Sequence, residues 1–521
     1  MKRIIFLLIV FISSTWNTTV IARTVLKTDV CVYGGTSAGV IAAYTAIQEG
    51  KKAILIEPTH RIGGMTTGGL GWTDIGNKGI MQGMALDFYT RIGKEYGNPQ
   101  PQYTFEPKVA LKVYQQYVTE SNMEIMYNYR ITSVDKKGNK LKSIKLESTN
   151  GGSDVNVKAK VFIDCSYEGD LMALAGVSYT VGREPNSLYG ETINGVEMRH
   201  KHQFPDGVDP YRIKGDPQSG LLYGILEGKM GEQGSGNNHV QAYNFRLTLT
   251  DKKDNMIPLT KPERYAPDHY ELLLRLIEKK KNPKLSDFLK FDMMPNRKTD
   301  INNQGAFSTD MIGANWDYPE ADYAKRKTIF QEHMDYTLGL LWFLGHDERV
   351  PKQVRKEMCR WGLPKDEYLE SGHFTPQLYI RESRRMIGRM VMTEDYCRKK
   401  KSADDPVAWA AYNMDSHNCG RYVVNGMVKN EGDVQVRPAG IYNVSYRAIT
   451  PKQEEASNLI VPVCLSASHV AYGSIRMEPV FMVLGQSSAL AACQAIDKTH
   501  NIVQKVDSQK ILEKIMPAKQ Q

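Results

Sequence analysis

The sequence predicts an α/β fold in which strand–helix–strand units build a parallel sheet. The first observation is a short β-rich run, Thr28 to Tyr33, that leads into a tight turn, Gly34 to Gly39. The second is the apolar, alanine-rich stretch Val40 to Glu49, which has the pattern of a buried helix. The third is the buried strand Ala53 to Ile56, which ends at Glu57. In this order, the four segments form a βαβ crossover.

Length and composition indicate a large globular core. The chain has 521 residues, of which 41% are hydrophobic and 24% charged, as in ordinary globular proteins. Because single cores stop growing near roughly 250–300 residues, we expect two or more packed units or one large interrupted domain. The net charge of +9 is small for this length and does not favour nucleic-acid binding. A small disulfide-stapled module is excluded.

The N-terminal residues have the pattern of a signal peptide. Met1 to Arg3 is basic, Ile4 to Ile12 is apolar, and Val20 to Ala22 ends in a small residue. The apolar run is much shorter than the roughly 20 residues that span a bilayer, which favours export with cleavage after Ala22 over a membrane anchor. No later segment is predicted to span a membrane. We therefore expect a soluble mature chain that is periplasmic or secreted.

The cysteines predict no metal site. The seven residues have neither metal-ligand nor close-pair spacing, and their odd number leaves at least one free thiol. Bridges among Cys359, Cys397, Cys419 and Cys464 are allowed in an oxidising periplasm, but the spacing does not define their pairing.

The glycine turn predicts a dinucleotide site. Gly34 lets the strand turn sharply, Gly39 lets the helix pack closely on the strand, and the helix N-terminus points free N–H groups at a pyrophosphate. Thr36 replaces the middle glycine of the usual pattern. Glu57, at the end of the second strand, is placed to accept hydrogen bonds from a ribose 2′-hydroxyl. The predicted contacts of the turn are Gly34, Gly35, Thr36, Ser37, Ala38 and Gly39.

A glycine-rich segment after Glu57 favours FAD over NAD. The stretch Pro58 to Gly71 is too polar and flexible for a strand, and its backbone can follow the isoalloxazine and ribityl parts of FAD. The alternative is an unstructured surface loop, which would not explain the interleaved methionine and threonines. The predicted cofactor contacts in this segment are Gly63, Gly64, Met65 and Thr66.

At these residues the sequence resembles a known family. The resemblance rests on the opening βαβ unit and on four further blocks, Val161 to Leu171, Tyr379 to Gly388, Met414 to Asn418 and Ser466 to Pro479. It is to the FAD-dependent oxidoreductases related to glutathione-reductase-like flavoproteins, in the xanthan-lyase-like branch of bacterial polysaccharide-degrading gene sets. The resemblance covers nearly the whole mature chain and implies FAD as the cofactor. A threonine at position 36 is common in that branch.

The predicted architecture is a discontinuous, Rossmann-like FAD-binding domain with an inserted α+β substrate domain. After the signal peptide (1–22), residues 23–181 form the first part of the FAD-binding domain and 441–521 the second, with the substrate or cap domain at 182–440. Gly182 to Gly236 reads as long loops. Residues 262–290 and 320–345 have helical periodicity, and helices are expected from Tyr270 to Lys281 and from Met386 to Lys401.

Two blocks allow more than one interpretation. Val161 to Asp164 is predicted to be a strand that returns to the first sheet. Asp164 and Ser166 either cap the helix through Leu174 or contact the cofactor. Gly485 and Gln486 begin a small-residue helix, whose N-terminus would stabilise negative charge on a reduced flavin. The small residues also serve close helix packing, and the two interpretations are compatible.

Histidines and arginines are the candidate catalytic groups. His417 and His469 are the leading candidates for moving a proton near neutral pH, although a lone histidine is more often structural, and His60 is a weaker third. If their stretch is helical, Arg381, Arg384 and Arg385 share one face, which either holds a carboxylate or sulfate or forms structural ion pairs. The remaining candidates are Arg421, which would lie on the side of His417 in a helix, and Arg476.

Together these features predict an exported FAD enzyme that oxidises a hydroxyl of a carbohydrate or uronate-like substrate to a ketone. His417 or His469 would take the hydroxyl proton, and the glycan part rests on the resemblance alone. Because NAD is scarce outside the cell, a quinone, a cytochrome or oxygen should accept the electrons. The alternatives are a redox-neutral flavin-dependent lyase or isomerase acting on glycans, and a glycan-binding protein without redox activity.

Overall fold

A computed structural model describes residues 24–516 of the chain. The predicted signal peptide lies outside the described residues. The described helices are α1 (Ser37–Gln48), α2 (Gly83–Glu95), α3 (Pro107–Ser121), α4 (Asp170–Leu174), α5 (Asn186–Tyr189), α6 (Glu271–Glu278), α7 (Tyr323–His346), α8 (Lys352–Met358), α9 (Glu394–Cys397), α10 (His469–Ile475), α11 (Glu478–Lys498) and α12 (Ser508–Ile515).

The strands divide into one large sheet and several short ribbons. The large sheet contains β1 (Thr24–Tyr33), β2 (Ala53–Glu57), β3 (Glu124–Tyr127), β4 (Tyr129–Lys137), β5 (Lys140–Ser148), β6 (Val155–Asp164) and β21 (Leu459–Ile460). The short strands are β7 (Tyr179–Thr180), β8 (Asn244–Phe245), β9 (Met256–Pro258), β10 (Lys290–Met294), β11 (Lys298–Asn302), β12 (Gly362–Pro364), β13 (Leu378–Tyr379), β14 (Arg385–Met386), β15 (Pro406–Ala410), β16 (Met414–Ser416), β17 (Gly420–Val424), β18 (Met427–Glu431), β19 (Val434–Val436) and β20 (Tyr442–Ser445).

The large sheet is mixed, with the order β3-β2-β1-β6-β5-β4. Strands β3, β2, β1 and β6 run parallel, β5 and β4 add an antiparallel edge, and β21 pairs parallel with the end of β6. The structure thus confirms the predicted βαβ unit and the predicted return of Val161 to Asp164 to the first sheet. At the end of β1, Val30 and Val32 belong to one hydrophobic core while Cys31 and Tyr33 belong to another. Burial on both faces explains the continuous apolar run.

Helix α11 packs lengthwise on α1 and joins the C-terminal part of the chain to the opening crossover. The contact is close, because a Cβ atom at Gly485 would lie 2.3 Å from the carbonyl oxygen of Ala38. Within residues 24–516, α11 is long and apolar enough to span a membrane, contrary to the prediction that no later segment is. Its most apolar stretch is 89% buried inside the protein, which accounts for its composition.

The segment from 182 to 440 has the loops that the sequence predicts but fewer helices. Residues 182–236 contain only short helical turns among loops, and α7 fits the periodicity of 320–345. The expected helix from Tyr270 to Lys281 is the shorter α6. The expected helix from Met386 to Lys401 is wrong, because only α9 forms there. The backbone N–H and carbonyl of Met392 instead bond to Ser466 and Ser468, so they are not available for helical hydrogen bonds.

The seven cysteines are all unpaired in the structure, and six of them are buried. The bridges that the sequence allowed among Cys359, Cys397, Cys419 and Cys464 are therefore not formed.

The contact between α11 and α1 gives a test of the fold. We expect Gly485→Ala to lower the free energy of unfolding by about 1–3 kcal/mol, because the added methyl group collides with the backbone of α1. The measurement is urea unfolding of the purified protein. Gly345→Ala in α7 is the matched control, since its Cβ would lie 3.4 Å from the nearest atom, the Cys359 sulfur. Because Gly345 lies in the last turn of α7, this change should be neutral or raise the free energy of unfolding by up to about 0.5–1 kcal/mol. Equal effects of the two substitutions would contradict the close contact.

Candidate active site

The turn between β1 and α1 has no room for side chains at its two outer glycines. Gly34 has φ +95°, and a Cβ atom there would lie 2.6 Å from the Ser166 nitrogen. A Cβ atom at Gly39 would lie 1.9 Å from the Gly34 oxygen. Thr36 caps α1 and also donates a hydrogen bond of 2.8 Å to the Cys165 carbonyl oxygen. The threonine that replaces the usual glycine therefore ties the turn to the end of β6.

The Glu57 carboxylate organises the turn from the neighbouring strand. Its Oε2 accepts from the Gly35 N–H at 2.8 Å, and its Oε1 accepts from both the N–H and the hydroxyl of Thr59. Burial raises the pKa of the Glu57 carboxyl to about 7, although these hydrogen bonds act in the opposite direction. Because a carboxylate oxygen has two lone pairs, Oε2 keeps the capacity to accept a ribose hydroxyl.

A cavity of about 190 Å³ opens beside this carboxylate. Its walls come from the turn, from the end of β6 and from the segment Pro376 to Ile380. Among the lining residues are Gly34, Thr36, Glu57, Gly64, Ser166 and Tyr167. Four of the predicted cofactor contacts therefore face the cavity. Bare backbone at the turn, a free helix N-terminus and an acidic acceptor are the groups that bind the diphosphate and ribose of FAD, so the residues fit this cofactor.

The glycine-rich segment after Glu57 is buried and fixed, not a loose surface loop. The Gly63 N–H donates to the Gly35 oxygen at 2.7 Å, and the Met65 N–H donates to the Tyr167 hydroxyl at 3.0 Å. Thr66 donates to the Gly63 oxygen and to the hydroxyl of Tyr114. These hydrogen bonds hold the segment against the turn between β1 and α1.

Glu478, a residue without a predicted role, joins the first turn of α1 to Tyr167, which also binds the glycine-rich segment at Met65. Ser37 in the first turn of α1 donates a hydrogen bond to its Oε2, and the Tyr167 hydroxyl donates to Oε1 at 2.7 Å. Burial raises the pKa of the Glu478 carboxyl to about 7. Its place directly before Pro479, at the start of an apolar helix, is the only local signal of this position.

Gly485 and Gln486 are not at a helix N-terminus, so their predicted role toward a reduced flavin is wrong. Helix α11 begins at Glu478, which places both residues in its interior. Gly485 packs against Ala38, and the Gln486 side chain accepts from the Met84 N–H at the start of α2. The alternative interpretation, close helix packing, is the correct one.

Asp164 acts as a cap and Ser166 lines the cavity. Asp164 Oδ1 accepts from the N–H and the hydroxyl of Ser166, and Oδ2 accepts from the Met172 N–H in the first turn of α4. Capping of the helix thus applies to Asp164, and a place at the cavity applies to Ser166.

His417 makes one strong contact to a buried carboxylate. Its Nδ1 lies 2.7 Å from Asp310 Oδ2, while the acceptor nearest to Nε2 is Asp415 Oδ2, at 3.6 Å. Burial opposes ionisation of Asp310, but the charges of Arg381 and His417 hold the pKa of its carboxyl below the usual range. Within residues 24–516, Nε2 of His417 has no hydrogen-bond partner.

His469 is engaged at both ring nitrogens. Its Nδ1 lies 2.7 Å from Glu382 Oε2, and its Nε2 lies 2.9 Å from the Ser416 hydroxyl. All three side chains are buried. Burial raises the pKa of the Glu382 carboxyl, but the charges of His469 and Arg385 bring it to about 2. A fully hydrogen-bonded histidine is typical of a structural role. The third candidate, His60, is exposed.

The predicted helical face of three arginines is wrong. The stretch is extended, and its backbone pairs with other strands at β13 and β14. Arg381 pairs with Asp310 at 3.0 Å, Arg384 with Asp170 at 2.8 Å, and Arg385 with Glu184 and with a neighbouring glutamate at 2.6 and 2.7 Å. Only Arg381 approaches the His417 site, through the carboxylate that they share.

Arg421 does not share a helix with His417, because it lies on strand β17. Its guanidinium donates to Asn430 and to two backbone carbonyl oxygens, those of Ala306 and Phe307. These contacts make it a structural residue of the ribbon.

Arg476 does lie at the His417 site. It donates to the Tyr379 hydroxyl at 2.9 Å and pairs with Asp415 at 3.3 Å. Three guanidinium carbons, those of Arg246, Arg381 and Arg476, lie 5.9, 4.5 and 5.6 Å from the centre of the Tyr379 ring. The sequence analysis missed Asp310 and Tyr379 because residues distant in sequence assemble this cluster.

Glu478 gives a pH-dependent test. Its native pKa lies above the ordinary value of 4.5, so the native state binds the proton more tightly than the unfolded chain. This group should therefore remove stability as the pH rises from 4.5 to 7. In Glu478→Gln this loss is absent. From pH 5 to pH 8 the free energy of unfolding of the variant should therefore rise by up to about 3 kcal/mol relative to that of wild type. The measurement is urea unfolding of the FAD-free protein at both pH values.

The exposed Glu263 provides the control, because Glu263→Gln changes the net charge equally at the surface. A difference between wild type and Glu478→Gln that does not change with pH would contradict the raised pKa.

Comparisons with known proteins identify the family. The model of the FAD dependent oxidoreductase family matches residues 29–515. No curated protein matches the chain. Solved structures that are similar include an anhydrotetracycline hydroxylase from Streptomyces rimosus (11% identity, 31% of this chain and 36% of that chain, TM-score 0.24). Others are a 3-ketosteroid-Δ4-(5α)-dehydrogenase from Rhodococcus jostii RHA1 (13%, 31% and 50%, 0.22) and a flavoprotein/dehydrogenase from Cytophaga hutchinsonii (15%, 30% and 43%, 0.23).

This chain aligns with half or less of the length of those three structures. At these TM-scores the likenesses carry no information on its activity. The family match extends over nearly all of the described residues and agrees with the glycine turn, Glu57 and the cavity beside them. The chain belongs to the FAD-dependent oxidoreductase family, and it is an enzyme with FAD as its cofactor.

Proposed function

We propose that this enzyme oxidises a hydroxyl of a carbohydrate or uronate-like substrate to a carbonyl, with His417 as the base. The observation that carries the proposal is the unequal pairing of the two ring nitrogens of His417. Nδ1 is held by Asp310 at 2.7 Å, and Nε2 has no hydrogen-bond partner within the described residues.

The contact to Asp310 fixes the tautomer of the neutral imidazole. A carboxylate accepts a hydrogen bond, so Nδ1 carries the hydrogen and Nε2 carries the free lone pair. This is the arrangement that a general base needs when it removes the proton of a hydroxyl group. When bound, FAD supplies the acceptor for the hydride that leaves the hydroxyl-bearing carbon. The two losses together, a proton from oxygen and a hydride from carbon, convert an alcohol to a ketone.

Two ionised carboxylates lie beside His417. Burial raises the pKa of the Asp415 carboxyl, but the neighbouring His417 and Arg476 bring it to about 2. Asp310 is held ionised in the same way by Arg381. Both carboxylates lie within 4 Å of the imidazole ring. His469 lacks a free ring nitrogen and supports the site from behind, through Ser416 on the adjoining strand.

The residues that would hold FAD follow from the cavity. Gly34, Thr36 and the start of α1 would take the diphosphate, Glu57 the adenosine ribose, and the buried segment Gly63 to Thr66 the ribityl end. We further propose a glutathione-reductase-like, discontinuous FAD-binding domain of 23–181 and 441–521, with residues 182–440 as an inserted substrate domain. The packing of α11 on α1 supports the inclusion of the C-terminal part.

We also propose that the enzyme is exported, belongs to the xanthan-lyase-like branch and acts in polysaccharide degradation. The basic, apolar and small-residue pattern of residues 1–22 supports export to the periplasm or beyond. In such a compartment a quinone, a cytochrome or oxygen would reoxidise the flavin. The partners would then be a small-molecule or oligosaccharide substrate and this acceptor.

The decisive experiment mixes the FAD-loaded enzyme anaerobically with neutral and uronate-containing oligosaccharides. We expect one class to bleach the flavin absorbance, with a new carbonyl in the product. Turnover without bleaching and without an external acceptor would instead establish the redox-neutral lyase or isomerase. If no member of the panel causes bleaching or turnover, the proposed substrate class is wrong.

Replacement of His417 should slow the chemical step. We expect His417→Ala to reduce the rate of flavin bleaching by a saturating substrate by about 10²- to 10⁴-fold, because the hydroxyl proton loses its acceptor. FAD content should be unchanged, since His417 does not line the cofactor cavity. Rapid-mixing absorbance under anaerobic conditions measures the rate. The exposed His346, which stacks on Trp342, is the control, and His346→Ala should leave the rate unchanged. A full rate in His417→Ala would move the base elsewhere.

Glu57 should determine FAD retention. We expect Glu57→Ala to lose at least about tenfold in affinity for FAD, because an ionised acceptor of the ribose hydroxyl contributes about 1.5–3 kcal/mol. Glu57→Gln keeps an acceptor oxygen for the turn, so its affinity for FAD should lie between those of wild type and Glu57→Ala. The measurement is flavin absorbance per protein after dialysis against increasing volumes. Unchanged occupancy in a folded Glu57→Ala protein would remove this residue from the ribose.

A further inference from the structure

An open groove of about 680 Å³ lies on the outer side of the buried segment that follows Glu57. Trp72 forms one wall, and 43% of the residue is exposed, an unusual state for the largest apolar side chain. Tyr103 and the exposed Met293 add apolar surface. The amides of Asn98 and Gln102 lie along the same groove. The groove therefore combines one flat aromatic face with a polar rim.

The backbone that carries Trp72 is rigid. The N–H groups of Gly71 and Trp72 both donate to Asp300 Oδ2 at 3.0 Å. Asp300 is itself held by two hydrogen bonds of 2.7 Å from the buried Arg246. Trp72 also forms a β-bridge with Thr104 across the groove wall. The main chain at Trp72 is therefore already ordered before a ligand stacks on the indole, which lowers the entropy cost of binding.

The groove has a single positive charge. Lys78 Nζ lies 5.3 Å from the centre of the Tyr103 ring and makes no ion pair with any residue from 24 to 516. None of the described residues that line the groove is an aspartate or glutamate. An anionic group in the groove would therefore meet an uncompensated cation and no opposing carboxylate.

The chain that lines the groove also reaches the polar cluster at Tyr379, through Asp74. Asp74, two residues after Trp72, accepts from the Tyr412 hydroxyl at 3.2 Å and pairs with Arg246 at 3.2 Å. Arg246 is one of the three arginines around the Tyr379 ring, and a second one, Arg476, binds Asp415 beside His417. Ion pairs and aromatic contacts of these groups therefore link the segment after Trp72 to the surroundings of His417.

We propose that this groove binds a uronate residue of an oligosaccharide. The C–H face of the sugar ring stacks on the indole of Trp72, and the carboxylate pairs with Lys78. A pyranose ring suits these walls because it has one apolar face and a rim of hydroxyl groups, which the amides of Asn98 and Gln102 can bind. The inference rests on the proposed function, since it defines the substrate as an acidic glycan and not a neutral one.

The test is calorimetric binding of trigalacturonate to the FAD-loaded enzyme, with the methyl ester of the same trisaccharide as the uncharged probe. We expect Trp72→Ala to weaken binding of both probes about tenfold, and Trp72→Phe to weaken it less, because stacking does not depend on charge. Lys78→Met should weaken binding of the acid about threefold and leave the ester unchanged. Trp342→Ala, a partly exposed tryptophan outside the groove, is the matched control and should bind like wild type.

The groove proposal is overturned if the acid does not bind, or if Trp72→Ala and Lys78→Met bind it as wild type does. Flavin bleaching by the same probe tests the proposed oxidation separately from binding in the groove. Binding that depends on Trp72 without any bleaching supports the groove and contradicts oxidation of this substrate. Bleaching with an equal KM in wild type, Trp72→Ala and Lys78→Met supports oxidation and removes the substrate from the groove.

Discussion

The contact between the turn after β1 and the turn after β6 is the constraint on which the rest of the structure depends. Gly34 approaches the Ser166 backbone so closely that no side chain fits between them, and Thr36 bonds across the same junction. Because both turns follow adjacent parallel strands, their backbones meet at one edge of the sheet, where such folds bind nucleotides. Glu57, at the end of the neighbouring strand β2, lines the same cavity, and the segment Pro376 to Ile380 forms its further wall.

Buried carboxyls fall into two groups with opposite electrostatics. Glu57 and Glu478, beside the cofactor cavity, are surrounded by neutral donors, and burial raises the pKa of each to about 7. Glu382 and Asp415, beside the histidines, face arginine or histidine, and the pKa of each is about 2. The first group titrates near neutral pH, and the second keeps negative charge beside His417 and His469.

Local patterns predicted the part of the fold that local physics determines. The opening crossover, the returning strand to Asp164 and helix α7 all follow from periodicity and from glycine at turns. The arginines of 381–385 show where such reasoning fails, since their helical spacing occurs in an extended chain whose backbone pairs with strands distant in sequence. Asp310 had no local signal, and Glu478 had only its place before Pro479, because their partners lie more than 100 residues away. Tertiary contacts, which a single sequence does not display, select among segments with equal local propensity.

The two candidate histidines show what such contacts add to function. Both follow small or polar residues, so the sequence ranked them equally, and both have a carboxylate on Nδ1. They differ at Nε2, which in His469 meets the Ser416 hydroxyl and in His417 meets no hydrogen-bond partner among residues 24–516. A neutral imidazole has one N–H group and one nitrogen lone pair. In His469 both are used by hydrogen bonds, whereas in His417 the lone pair on Nε2 is available to accept a proton. Strand β16 ends at Ser416 and leads directly into His417, so one strand end connects the two histidines.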